Sequence, residues 1–158
     1  MRRRTVRVGI VMGSLVALVV TGCATQSAMK VGSGDVVADR QRLMKLNGAS
    51  WQDIQAKAKA GQIEAIAVNA ETLALNARHI PALFPAGSLT DKSKAKPEVW
   101  QKWSEFEAAA KNLETQASQL REAARAKDGA KVEAMVKEFG RQACGTCHTP
   151  FRVPPPRS

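Results

Sequence analysis

The sequence predicts an all-α protein, an antiparallel four-helix bundle, on three observations. Two long stretches repeat apolar residues in alternating three- and four-residue steps, the spacing of helices that bury one stripe. Proline and glycine interrupt this pattern at a few separated places and so divide it into rods. No stretch alternates apolar and polar residues with the period of two that a half-buried strand requires. A chain of 158 residues is long enough for one such domain.

The first rod runs from Asp35 to about Ala60. In the second, Ile63, Ile66, Ala70, Leu73, Ala77 and Ile80 form the seam, and Pro81 and Pro85 stop it. The polar connection "PAGSLTDKSKAK" (85–96) follows. Pro97 stands where the third rod begins, a favoured place for proline. The seam of that rod is Val99, Trp103, Phe106, Ala110, Leu113, Ala117, Leu120 and Ala124. Asp128-Gly129 breaks the chain again, and the fourth rod runs from about Ala130 to His148. The tail "VPPPRS" (153–158) is proline-rich and expected to be extended. Bundles of this kind hold cofactors between facing helices. Ala65, Ala67, Ala70, Ala74, Ala77, Ala108, Ala109 and Ala110 leave space that a cofactor would fill, although alanine is also simply the best helix former.

The first thirty residues are different in kind. Arg2, Arg3, Arg4 and Arg7 precede an apolar run from Val8 to Val20, too short for a good membrane span and typical of an export signal. The run ends in "VTGC" (20–23), which resembles the bacterial lipoprotein signal, with Cys23 as the acylated residue. The alternative is ordinary cleavage near Gln26-Ser27-Ala28. Either way the mature protein works outside the cytoplasm. The expected organisation is a signal peptide over 1–22, a lipidated tether over 23–34, a helical domain over 35–152 and the tail over 153–158. Removing 1–22 takes away four arginines and no acid, so the net charge falls from +10 to +6. A mildly basic exported chain with scattered cations suits an acidic protein partner or an anionic surface and argues against nucleic acid.

Near the C-terminus stands Cys144-Gly-Thr-Cys147-His148. A zinc site needs four ligands, usually two such pairs, and His79 is the only other histidine. A thioredoxin-like dithiol expects a βαβ setting, which is absent from the pattern. The remaining reading is a covalently attached c-type haem, with thioethers at Cys144 and Cys147 and His148 as axial iron ligand. Export supports it. On a regular helix the three side chains fall within an arc of about 100°, and Gly140, one turn earlier on that face, lets a porphyrin approach the backbone. His79 reads as a histidine favoured by a helix C-terminus. Asp and Glu are spread singly, with no pair arranged for acid–base work, so the chain does not read as an enzyme.

Four stretches carry a resemblance: "RQRLMKLNG" (40–48), "IPALFPAGS" (80–88), "AKPEVWQKWSEFEAAAKNL" (95–113) and "GRQACGTCHTPFR" (140–152). In order and spacing they resemble the class II cytochromes c, the family of cytochrome c′ and cytochrome c-556. The resemblance implies a four-helix bundle with haem c near the C-terminus, and electron transfer or, in five-coordinate members, binding of small gases. It implies that the residue four places after the arginine of "RQ" faces the distal side of the haem. Here that residue is Met44, whose thioether would be the sixth ligand; the competing role is core filler. Arg40, one turn earlier on the same face, lies near a haem edge by helix geometry, where a propionate is its natural partner. Trp51 shares the face and closes the core. The expected function is periplasmic electron transport with low-spin His/Met ligation. The alternatives are a five-coordinate protein binding NO or CO and a haem-bearing accessory subunit of a membrane redox complex. The resemblance also allows a homodimer through the first two helices.

Overall fold

A computed structural model describes residues 34–155; the predicted signal peptide, Cys23 and nearly all of the tether lie outside the described residues. Helix α1, Val36–Lys59, starts where the Asp35 carboxylate accepts the backbone N–H groups of Val37 (2.9 Å) and Ala38 (3.1 Å). Those bonds, with the nearby charges of Lys92 and Arg42, hold the Asp35 carboxyl below its usual range. The helix ends in a Schellman motif: Gly61 takes φ +70°, Gln62 N–H donates to Lys57 C=O (2.9 Å) and Gly61 N–H to Ala58 C=O (3.1 Å). Helix α2, Ile66–His79, stops before Pro81 and gives way to a 3₁₀ turn at Pro81–Leu83.

The third rod is broken, where the periodicity predicts continuity. A single turn α3, Glu98–Gln101, is followed by non-helical Lys102 (φ −123°, ψ 49°) and then by α4, Trp103–Arg125. The break follows from what α3 is tied to: the Trp100 indole N–H donates to the carbonyls of Phe84 (3.0 Å) and Pro85 (3.1 Å). The fourth rod also departs from the expected straight helix. Helix α5, Gly129–Phe139, passes into a π-helical turn at Gly140–Gly145 and then α6, Thr146–Phe151. Asn112 of α4 holds this turn, its amide donating to the Gln142 carbonyl (2.6 Å) and to the Thr146 hydroxyl (3.3 Å).

The two seams are the core. Ile66, Ala70, Leu73, Ala77, Ile80, Val99, Phe106, Ala110, Leu113, Ala117, Leu120 and Ala124 are all buried, with Ile63 and Trp103 half-buried at the ends. Helix α2 lies along α4, and α1 lies against α2. The alanines serve this packing. Of the eight expected to leave cofactor space, Ala67, Ala70, Ala74, Ala77, Ala109 and Ala110 are buried in the helical core and Ala65 and Ala108 are exposed. None of them lines the large cavity described below. Small side chains here let α2 and α4 approach closely. Trp51 stacks on Phe139 with ring centroids 4.9 Å apart and joins α1 to α5, the closing role expected of it.

The connection 85–96 is pinned rather than a plain loop. Ala95 forms an antiparallel bridge with Arg152; Lys96 N–H donates to Phe151 C=O (2.9 Å) and Val153 N–H to Lys94 C=O (2.8 Å). The start of the proline-rich tail is extended and sealed onto this strap.

Helix α4 ends in a second Schellman motif, with Lys127 N–H donating to Ala124 C=O (3.0 Å) and Asp128 N–H to Ala123 C=O (3.0 Å). Its left-handed residue is Lys127, at φ +57°. An L side chain pays about 1–2 kcal/mol for that conformation. The exposed pair of Lys127 with Glu64 (3.0 Å) returns little. Lys127→Gly is therefore expected to stabilise the protein by about 1 kcal/mol. Thermal unfolding checks it, and an unchanged or lower midpoint contradicts it.

Candidate functional site

A cavity of about 390 Å³ opens between α1, the strap and α6. Val37, Arg40, Gln41, Met44 and Lys45 form its α1 wall. Ile80, Phe84, Val99 and Phe106 make it apolar on the core side. Ser93, Lys94 and Ala95 of the strap and Cys147, His148, Phe151 and Arg152 complete it. Four residues singled out in the sequence therefore meet: Arg40, Met44, Cys147 and His148. Cys144 does not line the cavity; it packs half-buried against the core. The π turn explains this, because it shifts Cys144 off the angular register that a regular helix would give it relative to Cys147.

Neither Cys144 nor Cys147 is in a disulfide. Burial pushes the Cys144 thiol up, and burial with the neighbouring Cys144 pushes Cys147 up to about 11. Reactive dithiols are tuned in the opposite direction, so the pair lacks the electrostatics of a cycling disulfide. His148 is exposed at the cavity, yet enough protein surrounds the ring that burial lowers its pKa, with the charge of Arg152 adding to the effect. The neutral imidazole, with a free lone pair, is favoured. An added Cβ on Gly140 would meet nothing within 4 Å, so the helix has open space beside it. His79 is exposed in the last turn of α2, apart from the cavity lining.

Arg40 is buried, only 5% exposed. Its guanidinium lies 4.2 Å from the centre of the Phe84 ring and 5.7 Å from that of Trp100. Nε donates to the Leu83 carbonyl, Nη1 to the Ser88 carbonyl (3.1 Å) and the Ser93 hydroxyl (3.5 Å), and Nη2 to the Ser88 hydroxyl. Burial lowers its pKa and Asp35 acts against that. A guanidinium has five N–H groups, and these bonds use four of them. Sequence reasoning missed this anchoring of the strap. Ser88 and Ser93 carry no periodic signal, and only their polarity beside a buried cation marks them.

A soft thioether, an imidazole and the Cys147 thiol around an apolar cavity, with the Cys144 thiol three residues before Cys147, suit a flat, largely apolar ring bearing a metal. No Asp or Glu lines the cavity.

Residues 35–152 match the family model described as cytochrome c′. The chain is 34% identical over 143 residues to cytochrome c-556 of Agrobacterium fabrum, covering 89% of this chain and 94% of that protein. It is 33% identical over 117 residues to cytochrome c′ of Pararhodospirillum photometricum, covering 72% and 92%. Among solved structures, the nitric oxide complex of a mutant cytochrome c prime from Alcaligenes xylosoxidans superposes with a TM-score of 0.68 at 25% identity, over 77% of this chain and 96% of that one.

Proposed function

We propose, from the premise that this chain belongs to the cytochrome c′ family, that it is a periplasmic electron-transfer protein in which His148 and Met44 would both ligate the iron. Its cofactor is haem c, covalently attached as in the family. When bound, that group supplies reversible one-electron chemistry at iron. The residues divide the remaining work. Cys144 and Cys147 would hold the ring by thioethers, and His148 would ligate iron from α6. Met44 would supply a second iron ligand from α1. Ile80, Val99 and Phe106 exclude water from the inner side of the cavity. Arg40 offers its remaining N–H to a propionate while fixing the strap. The observation that carries the reading is that Met44 and His148, from different helices, line one cavity. The visible spectrum of the mature protein tests it: sharp low-spin bands support six-coordinate iron, and broad high-spin bands sink it.

A second reading has its own support. A relative of this fold was solved as a nitric oxide complex, and one curated relative is a cytochrome c′. In that case Met44 is packing, and the distal side is open to small gases.

Cys23 is proposed as the first mature residue, carrying lipid. Two or more acyl chains anchor stably, whereas one is marginal. Mass spectrometry of the mature N-terminus is expected to find acylated Cys23; an unlipidated chain starting at Ala24 or later removes the anchor and leaves the haem site untouched. Among the described residues no helix is long and apolar enough to cross a membrane. Leu46, Val68 and Leu75 are exposed on α1 and α2, which suits a homodimer through those helices. Sedimentation velocity is expected to give a dimer, and a monomer at high micromolar concentration would refute it.

A further inference from the structure

We propose that Lys45, Lys94 and Arg152 form a docking surface at the cavity mouth for the acidic face of a protein redox partner. The proposal rests on the electron-transfer reading above and adds the place and chemistry of the contact. The cavity lining holds four cationic side chains and no carboxylate. One of the four, Arg40, is buried and bonded to the strap. The other three are exposed.

Two of them are held beside each other by the backbone. The Ala95–Arg152 bridge and the Val153 N–H bond to Lys94 C=O (2.8 Å) fix Lys94 and Arg152 on paired segments. Lys45 stands on α1, on another wall of the same mouth. Arg152 stands opposite Ala95, one rung from Lys94, so the two cations are neighbours on the paired segments. Other cations of the fold are paired: Arg78 with Glu114 (2.7 Å), Lys57 with Asp53 (2.7 Å), and Arg121 with Glu71. Among the described residues, Lys45, Lys94 and Arg152 form no salt bridge. The nearest acids on α1 are engaged otherwise. Asp35 caps the helix and Asp39 pairs with Arg42, and neither lines the cavity. The propionates of a bound haem would offset part of this charge, but the strap 91–96 alone carries three lysines against one aspartate. A positive rim around the cavity mouth is left to meet negative charge from outside. Such a rim raises association rates by steering, and the effect fades with salt.

The test uses the mature holo-protein and reduced flavodoxin, a strongly acidic protein, as electron donor. Stopped-flow rates are measured against ionic strength. A mouth variant (Lys45→Gln, Lys94→Gln, Arg152→Gln) is compared with a control losing the same charge at exposed sites outside the cavity (Lys59→Gln, Lys131→Gln, Lys137→Gln). The mouth variant is expected to react about tenfold more slowly at low salt, within the range that steering supplies. The control should change less than twofold, and all three proteins should converge at high salt. Equal losses in both variants would overturn the proposal, since net charge alone would then explain them. So would a mouth variant that matches the parent toward flavodoxin yet differs from it only when phosphatidylglycerol vesicles are present, which assigns the cations to a membrane surface. The spectrum recorded beforehand separates the two levels. High-spin, carbon monoxide-binding protein sinks the electron-transfer reading, whereas low-spin protein without a mouth-specific effect sinks only the docking surface.

Discussion

Met44→Ala is expected to convert a low-spin protein that resists carbon monoxide into a high-spin one that binds it readily in the reduced state. Met44 lines the cavity together with His148 and Cys147, and it comes from α1 rather than from the helix that carries the attachment motif. On the proposed reading, a thioether in that place would occupy the coordination position that an exogenous ligand would otherwise take. It is also a soft donor that favours reduced iron, so the reduction potential should fall when it is removed. The oxidised spectrum should lose its weak charge-transfer band at the red edge. Stability should drop as well, by about 2–5 kcal/mol if the site cannot collapse. That loss does not discriminate, because a packing methionine would produce it too. The spectrum of the unmutated protein does. If it is already high-spin and binds carbon monoxide, Met44 is a core side chain and the gas-binding reading takes over.

The parts of the fold that were legible in the sequence are those set by local periodicity. Each residue of the second seam from Ile66 to Ile80 is buried, and the third seam is buried from Phe106 to Ala124. A helix must hide one stripe whatever surrounds it, so the pattern survives without tertiary information. The departures come from contacts across long sequence separations. Lys102 breaks the third rod where Trp100 is tied to the carbonyls of Phe84 and Pro85. The π turn carries Cys144 and is held by Asn112, thirty residues away. The alanines were ambiguous because small volume serves both helix approach and cofactor space, and only the packing of α2 on α4 decides. At the site, the spacing of the motif pointed to Cys147 and His148 and the family resemblance to Met44, and all three line one cavity. The strap did not announce itself. Its grip on Arg40 runs through backbone carbonyls and serine hydroxyls, and carbonyls are the same at every position of every sequence.

Replacing both motif cysteines, Cys144→Ser with Cys147→Ser, is expected to abolish haem staining on denaturing gels entirely. Only a covalent bond survives denaturation, and the chain has three cysteines in all. The third, Cys23, belongs to the proposed lipid anchor, so no other thiol can substitute. Each single serine variant should retain one thioether and a reduced stain. His148→Ala should behave differently. Its thioether positions are intact, so whatever holo-protein forms should still stain, but the yield should fall sharply. The reason is coupling: a cofactor bound only by the folded chain stabilises it, and on the proposed reading His148 would contribute the bond that joins the metal to α6. The surviving fraction should lose the low-spin spectrum while Met44 remains in place. Persistent stain in the double serine variant would place the attachment elsewhere. A His148→Ala protein with normal yield and an unchanged spectrum would remove His148 from the iron and leave the two sulfurs as anchors alone.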